Sequence, residues 1–131
     1  MAAVSGPPIE VVLLRQVAGY LATPLFLVDE EGNLDYYNEP AEALLGHRYE
    51  ETGQMPLEEW ARLWVATDAG GHILAPEERP LAVAIRERKP VQDDFFMRGS
   101  DGVVRRLMVT AIPLEASDGT HLGAVAIFWE T

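Results

Sequence analysis

VQDDFFMRGSDGVVRRLMVTAIPLEASDGTHLGAVAIFW, residues 91–129, is the stretch that decides the fold. It contains two turns built alike. Ser100-Asp101-Gly102 separates VQDDFFMR from VVRRLMVTAIPL, and Ser117-Asp118-Gly119 separates that run from HLGAVAIFW. Asp-Gly between alternating apolar runs marks a hairpin, because glycine accepts the positive φ that these tight turns demand. The last third of the chain therefore reads as an antiparallel meander, and what precedes it must cover one face of that sheet. In the middle strand Leu107, Val109 and Ala111 alternate with Met108, Thr110 and Ile112. Successive strand side chains point to opposite faces, so these are two rows, and both are fairly apolar. That pattern fits a sheet with one face in a core and the other covered by a helix or a partner chain. Pro113 has no N–H to give and is expected to end the strand's pairing.

The rest of the chain sets limits on what can cover the sheet. With 131 residues there is enough for one domain with a real core. At 48% hydrophobic and 24% charged it is globular rather than disordered. It has no cysteine, which excludes a disulfide framework, a thiolate metal site and a cysteine nucleophile or adduct. No apolar run reaches the roughly 18 residues a membrane span needs. MAAVSGPP at the start lacks a basic n-region, so a signal peptide is not expected and the chain reads as cytoplasmic. The net charge is −11. The first 60 residues hold 11 of the 21 acids against only Arg15 and Arg48. A phosphate backbone would be repelled, so nucleic acid is not an expected partner; the acidity reads as solubility.

Taken in order, Ile9, Val12, Leu13, Val17, Tyr20 and Leu21 form one helical stripe, and Val11, Leu14 and Ala18 a second beside it. One stripe suffices for a surface helix, so two imply either full burial in the domain or a subunit contact. Thr23-Pro24 ends this helix. Leu25 to Val28 and Leu34 to Tyr37 read as strands around a Glu31-Gly32 turn. Asn38 is placed to cap a short helix from Pro40 to Leu45, with Gly46 as its stop. LEEWARLW predicts a helix with Leu57, Trp60, Leu63 and Trp64 on its apolar side, and a Trp pair there reads as core before it reads as a ligand box. In PEERPLAVAIRERKP, Leu81, Ile85 and Ala82 form the buried side of a helix, and the basic residues of its last turn suit the helix dipole.

That order of elements resembles the PAS family. LFLVDEEGNLDYYNEPAEALLG resembles the first PAS hairpin with its Asn-capped helix, PLAVAIRERKPV the long helix, and DGVVRRLMVTAIPLEASDGTHLGAVAIFWE the closing strands. The stretch from Gly46 to Glu77 departs most, and the chain closes on Trp129-Glu130-Thr131 rather than an Asp-Ile-Thr-like sequence. The resemblance implies an α+β fold: a five-stranded antiparallel sheet with helices on one face, a flanking helix in residues 1–20 and a PAS core in 21–131. It implies a sensory and dimerisation module of bacterial-type signal transduction, of the kind associated with histidine kinases and two-component systems. The output partner would be a kinase, cyclase or regulator domain. Alternatives are a purely structural interaction domain with a filled core, and a small enzyme on a similar shell.

PAS domains often enclose a small molecule. Matching strands to the family puts Phe26, Val28, Leu107, Val109, Ala111, Val125 and Ile127 inward, with Leu81 and Ile85 facing them from the long helix. Leu44 belongs to the same expected core. Tyr36 and Tyr37 are the few polar candidates, and Tyr37 joins the candidate pocket. A homodimer is expected through Val11, Leu14, Ala18, Met108, Ile112 and Phe128. No cofactor is expected. Haem-binding relatives use a His on or near the long helix, whereas His47, His72 and His121 all lie elsewhere. Flavin-adduct relatives need a cysteine. No metal site or catalytic group is expected either. Asp93 and Asp94 are strand neighbours and cannot converge, Glu30-Glu31 and Glu50-Glu51 read as solvated turns, and Asp68-Ala69-Gly70-Gly71 lacks the strand, helix and Lys of a phosphate loop.

Overall fold

The computed structural model describes residues 8–131. Residues 1–7, the start of the expected flanking segment, lie outside the described residues. The elements in order are α1 (Ile9–Ala18), β1 (Leu25–Val28), β2 (Leu34–Tyr37), α2 (Glu39–Leu45), α3 (Tyr49–Thr52), α4 (Leu57–Leu63), β3 (Val65–Thr67), a 3-10 turn (Pro76–Glu78), α5 (Pro80–Glu87), β4 (Val91–Arg98), β5 (Val104–Glu115) and β6 (His121–Glu130). The strands form one antiparallel sheet in the order β2-β1-β6-β5-β4-β3. The sheet has six strands rather than the expected five. The addition is β3, three residues that follow Trp64 directly and pair Ala66 with Met97 of β4.

Both expected hairpins form. Gly102 and Gly119 take φ of 81° and 88°, as the turns require. The first turn does more than reverse the chain. Ser100 N–H donates to the Leu45 carbonyl at 2.8 Å, and Arg105 Nη1 donates to the Leu44 carbonyl at 3.2 Å. The last carbonyls of α2 thus find partners on the sheet. Pro113 does not end β5; it pairs with Ala124 of β6 and the strand runs on to Glu115. The reason is positional. β4 reaches only as far as Ala111, so the missing N–H of Pro113 costs no bond on that side.

The two faces of the sheet carry two cores. On the inner face Phe26, Val28, Leu107, Val109, Ala111, Ala124, Ala126 and Phe128 pack with Ala41 and Leu45 of α2, Trp60 and Ala61 of α4, Trp64 and Leu81 and Ala84 of α5. On the outer face Leu25, Leu27 and Val125 pack with Val11 and Ala18 of α1, flanked by Leu14, Tyr36, Ile112, Leu114 and Leu122. This reverses the expectation for β6. Val125 and Ile127 sit opposite Leu27 and Leu25 on the outer face, while Phe128, expected in a dimer contact, lies opposite Val109 on the inner one. A one-residue change of parity moves every side chain of a strand to the other face. Leu63, expected on the buried side of α4, is exposed, and Ala61 takes its place.

Asn38 joins the layers. It is buried and starts α2 with its Oδ1 accepting from Ala41 N–H at 3.3 Å and from Leu25 N–H at 2.9 Å. Its Nδ2 donates to the carbonyls of Ala18 at 3.1 Å and Thr23 at 2.9 Å. One side chain therefore ties the end of α1, the link to β1, β1 itself and α2.

Candidate ligand cavity

A cavity of about 60 Å³ lies between the inner face of the sheet and α2, α4 and the start of α5. Its floor is Phe26 of β1, Ala126 and Phe128 of β6, Leu107 and Val109 of β5, and Phe95 and Met97 of β4. Its roof is Leu45, Trp60, Trp64, Pro80, Leu81 and Arg79. Phe26 meets Trp60 and Trp64 edge to face, with ring centres 5.1 and 5.9 Å apart, and stacks on Tyr37 at 5.9 Å. Both indole N–H groups are already engaged. Trp60 donates to the Gly32 carbonyl at 3.0 Å, and Trp64 to the Leu45 carbonyl at 2.9 Å. The two rings are thereby fixed in orientation, with their polar edges satisfied by backbone.

Among the residues expected at a pocket, Phe26, Leu81, Leu107 and Val109 come together in this wall. Val28, Tyr37, Ile85 and Ala111 pack in the same core without lining the cavity. Val125 and Ile127 face away from it. The Tyr37 hydroxyl donates to the His47 carbonyl at 3.0 Å and lies 3.1 Å from Thr52 Oγ1, so it serves the α2–α3 loop. Burial raises its phenol above the ordinary value. Tyr36 lies on the outer face, with the Arg15 guanidinium 4.9 Å above its ring. Sequence reading missed Phe95 and Met97, which the alternation of β4 opposite Leu107 and Arg105 would have placed. It also missed Arg79, for which no local signal exists.

Arg79 is the single ionisable residue in the wall. It is only 6% exposed. Its Nη1 donates to the Trp64 carbonyl at 2.8 Å and its Nη2 to the Ala61 carbonyl at 2.7 Å, closing the C-terminal end of α4. The guanidinium carbon sits 5.6 Å from the centre of the Trp60 ring. Its Nε is buried with no hydrogen-bond partner. Among the described residues no carboxylate approaches the guanidinium within ion-pair distance. Burial pulls its pKa down to about 10, so it remains a cation at neutral pH.

Elsewhere the charged groups pair at the surface. Asp94 accepts from Arg106 Nη2 at 2.6 Å on the outer face, and that hydrogen bond holds its carboxyl below the ordinary carboxylate value. Asp93, its neighbour on β4, is exposed, and the two do not form a dyad. Among the described residues no three His, Asp or Glu side chains cluster as a metal site, and no helix is long and apolar enough to cross a membrane.

Comparison with known proteins places this architecture. A search of curated proteins finds no match. Among solved structures, the PAS domain of a protein from Colwellia psychrerythraea shares 15% identity with a TM-score of 0.66, covering 93% of this chain and 97% of that one. The PAS domain of nitrogen regulation protein NR(II) from Vibrio parahaemolyticus shares 17% identity with a TM-score of 0.63, covering 91% and 98%. The Rhodobacter sphaeroides LOV protein shares 14% identity with a TM-score of 0.72, covering 94% of this chain and 68% of that one. At such identities these structures speak for the fold. The sequence model of the PAS fold matches residues 21–131, beginning just before β1 and running through β6. The chain belongs to the PAS family.

Proposed function

We propose that this chain is a sensory and dimerisation module that reads the occupancy of its cavity by a small, mainly apolar molecule. It passes the result through α1 to an output domain such as a kinase or another regulator. The observation that carries this reading is the cavity itself, walled by Phe26, Trp60, Trp64, Leu107, Val109 and Phe128. Pockets of this kind, apolar with few polar groups, are default binding sites. One ionisable residue in the wall is too few for acid–base or nucleophilic chemistry, which needs at least two converging groups. A filled core without ligand remains the second reading, and the modest volume of about 60 Å³ favours it.

The dimer in this reading is formed by α1, on a different stripe from the one expected. Val11, Leu14 and Ala18 are used within the chain, against the outer face of its own sheet. Ile9, Leu13 and Val17 remain 64%, 52% and 55% exposed along the same helix. A contiguous apolar stripe of that kind fits a second copy across a two-fold axis. Val125, under α1, and Ala126, in the cavity wall, are adjacent on β6, so a shift of that strand is felt on both sides.

Light scattering on the whole chain tests the assembly. A dimer is expected, and Leu13→Glu with Val17→Glu should give a folded monomer. A monomer for the unaltered chain at high micromolar concentration, or a double variant that stays dimeric, refutes it. Methyl NMR with toluene tests the cavity: shifts confined to Leu81, Leu107 and Val109 are expected, and no shifts with toluene or benzoate would leave the filled core standing.

A further inference from the structure

We propose that the cavity takes a guest with no hydrogen-bonding group at all: a short neutral hydrocarbon of about two or three carbon atoms. The inference rests on the reading of the cavity as a ligand site and names the class of ligand.

The polar side-chain atoms of the wall are all withdrawn from the cavity. Trp60 Nε1 donates to the Gly32 carbonyl at 3.0 Å, and Trp64 Nε1 donates to the Leu45 carbonyl at 2.9 Å, with Ser100 Oγ 3.1 Å away. Arg79 Nη1 and Nη2 donate to the Trp64 and Ala61 carbonyls, and its Nε is fully buried. The remaining wall residues carry hydrocarbon or thioether side chains, so no polar atom contributes to the cavity surface. A ligand hydroxyl, amide or carboxylate would give up its bonds to water and find none here, which weakens binding at least tenfold. Water meets the same obstacle, since a buried water needs about two to four polar partners.

Volume sets the size. An apolar cavity of about 150 Å³ takes benzene. At about 60 Å³ this one has under half that room, enough for about two or three carbon atoms. Toluene enters only where the wall yields, and the flexible thioether of Met97 is the side chain best able to yield. Propane or xenon enters the cavity as it stands. What such a guest gains is contact: wall atoms facing the cavity lack partners on that side, and a filling molecule restores them. A neutral guest is also indifferent to the net charge of −11, so its affinity should not depend on salt.

Methyl NMR on the unaltered protein at neutral pH tests this with propane, its isostere ethanol, and xenon. Propane and xenon should shift the Leu81, Leu107 and Val109 methyls, and propane should bind at least tenfold tighter than ethanol, equally at low and high salt. Ala126→Val, which adds carbon to the cavity wall, should abolish the xenon shifts; should this variant fail to fold, the comparison on the unaltered chain decides alone. Xenon shifts that persist in the folded variant overturn the site. Ethanol binding as tightly as propane at the same methyls overturns the class of guest and leaves the cavity reading intact, as do shifts with toluene and none with propane or xenon. No shift with propane, xenon or toluene overturns both.

Discussion

Replacing Asn38 by alanine should cost far more than the loss of one helix cap. The side chain is 1% exposed and makes four hydrogen bonds. Their losses are unequal. Ala41 N–H keeps a bond to the Asn38 carbonyl at 3.0 Å, and the Ala18 carbonyl keeps one from Leu21 N–H at 3.2 Å. Thr23 is exposed, so water can reach its carbonyl. Leu25 N–H, buried at the start of β1, is left without an acceptor. An orphaned buried donor costs about 1–3 kcal/mol. Loss of the cap adds about 1 kcal/mol. The sum is about 2–4 kcal/mol, a large share of the stability of an ordinary domain. Urea unfolding followed by the fluorescence of buried Trp60 and Trp64 measures it as a lower midpoint with an unchanged slope. Asn38→Asp is the sharper companion. It keeps the acceptor but turns a second oxygen towards two carbonyls, so it should be at least as damaging at neutral pH. Burial and those carbonyls raise the folded pKa of such an Asp, so its penalty shrinks as pH falls and the group protonates. A loss below about 1 kcal/mol for Asn38→Ala would mean that water replaces these bonds, and the account of Asn38 as the joint between α1 and the core would be wrong.

Gly123→Ala should be among the most damaging single changes, at about 3 kcal/mol or more, because φ is 128° there and a Cβ would overlap the Val28 carbonyl oxygen. Near-normal thermal stability of that variant would refute the β6 geometry. Val109→Ala, on the inner face at 5% exposure, should cost about 1–3 kcal/mol, and Ile127→Ala, half-buried on the outer face, less. The reverse order in denaturant unfolding would restore the opposite parity for β6. Asp94, Asp101 and Asp118 are held below their ordinary value of 3.8 by hydrogen bonds from Arg106, Val103 N–H and Thr120 respectively. A depressed folded pKa gives stability that is fully present above the unfolded value and is lost as pH falls through the folded one. The thermal midpoint should therefore decline below about pH 4, and Asp94→Asn with Asp101→Asn should flatten that decline; an unaltered slope refutes the assignment.

Much of this fold was legible because its signals are local. The two Asp-Gly turns, the cap at Asn38 and the stop at Gly46 each depend on the conformation of one or two residues, and each lies where expected. The two rows of β5 were equally readable, since alternation is a property of the strand alone. From such pieces the order of elements followed, and with it the resemblance to the PAS family.

The face of β6 was beyond sequence reading for a physical reason. HLGAVAIFW is apolar at both parities because both faces of this strand are covered, by α1 outside and by the inner core within. From Gly123 to Phe128 no residue is exposed, so alternation carries no information there and only pairing with β1 and β5, and the backbone at Gly123, could decide. β3 escaped notice because three residues are too short for a period, and its pairing with β4 spans some thirty residues of chain. Which stripe of α1 meets its own sheet was likewise settled by packing, since two adjoining apolar stripes look alike until one is covered. Arg79 shows the limit most clearly. In sequence it sits between two acids and a proline, as any solvated helix start does. Its burial, its free Nε and its place in the cavity wall arise from the C-terminal end of α4 meeting the 3-10 turn that leads into α5, a contact between segments that no local pattern encodes.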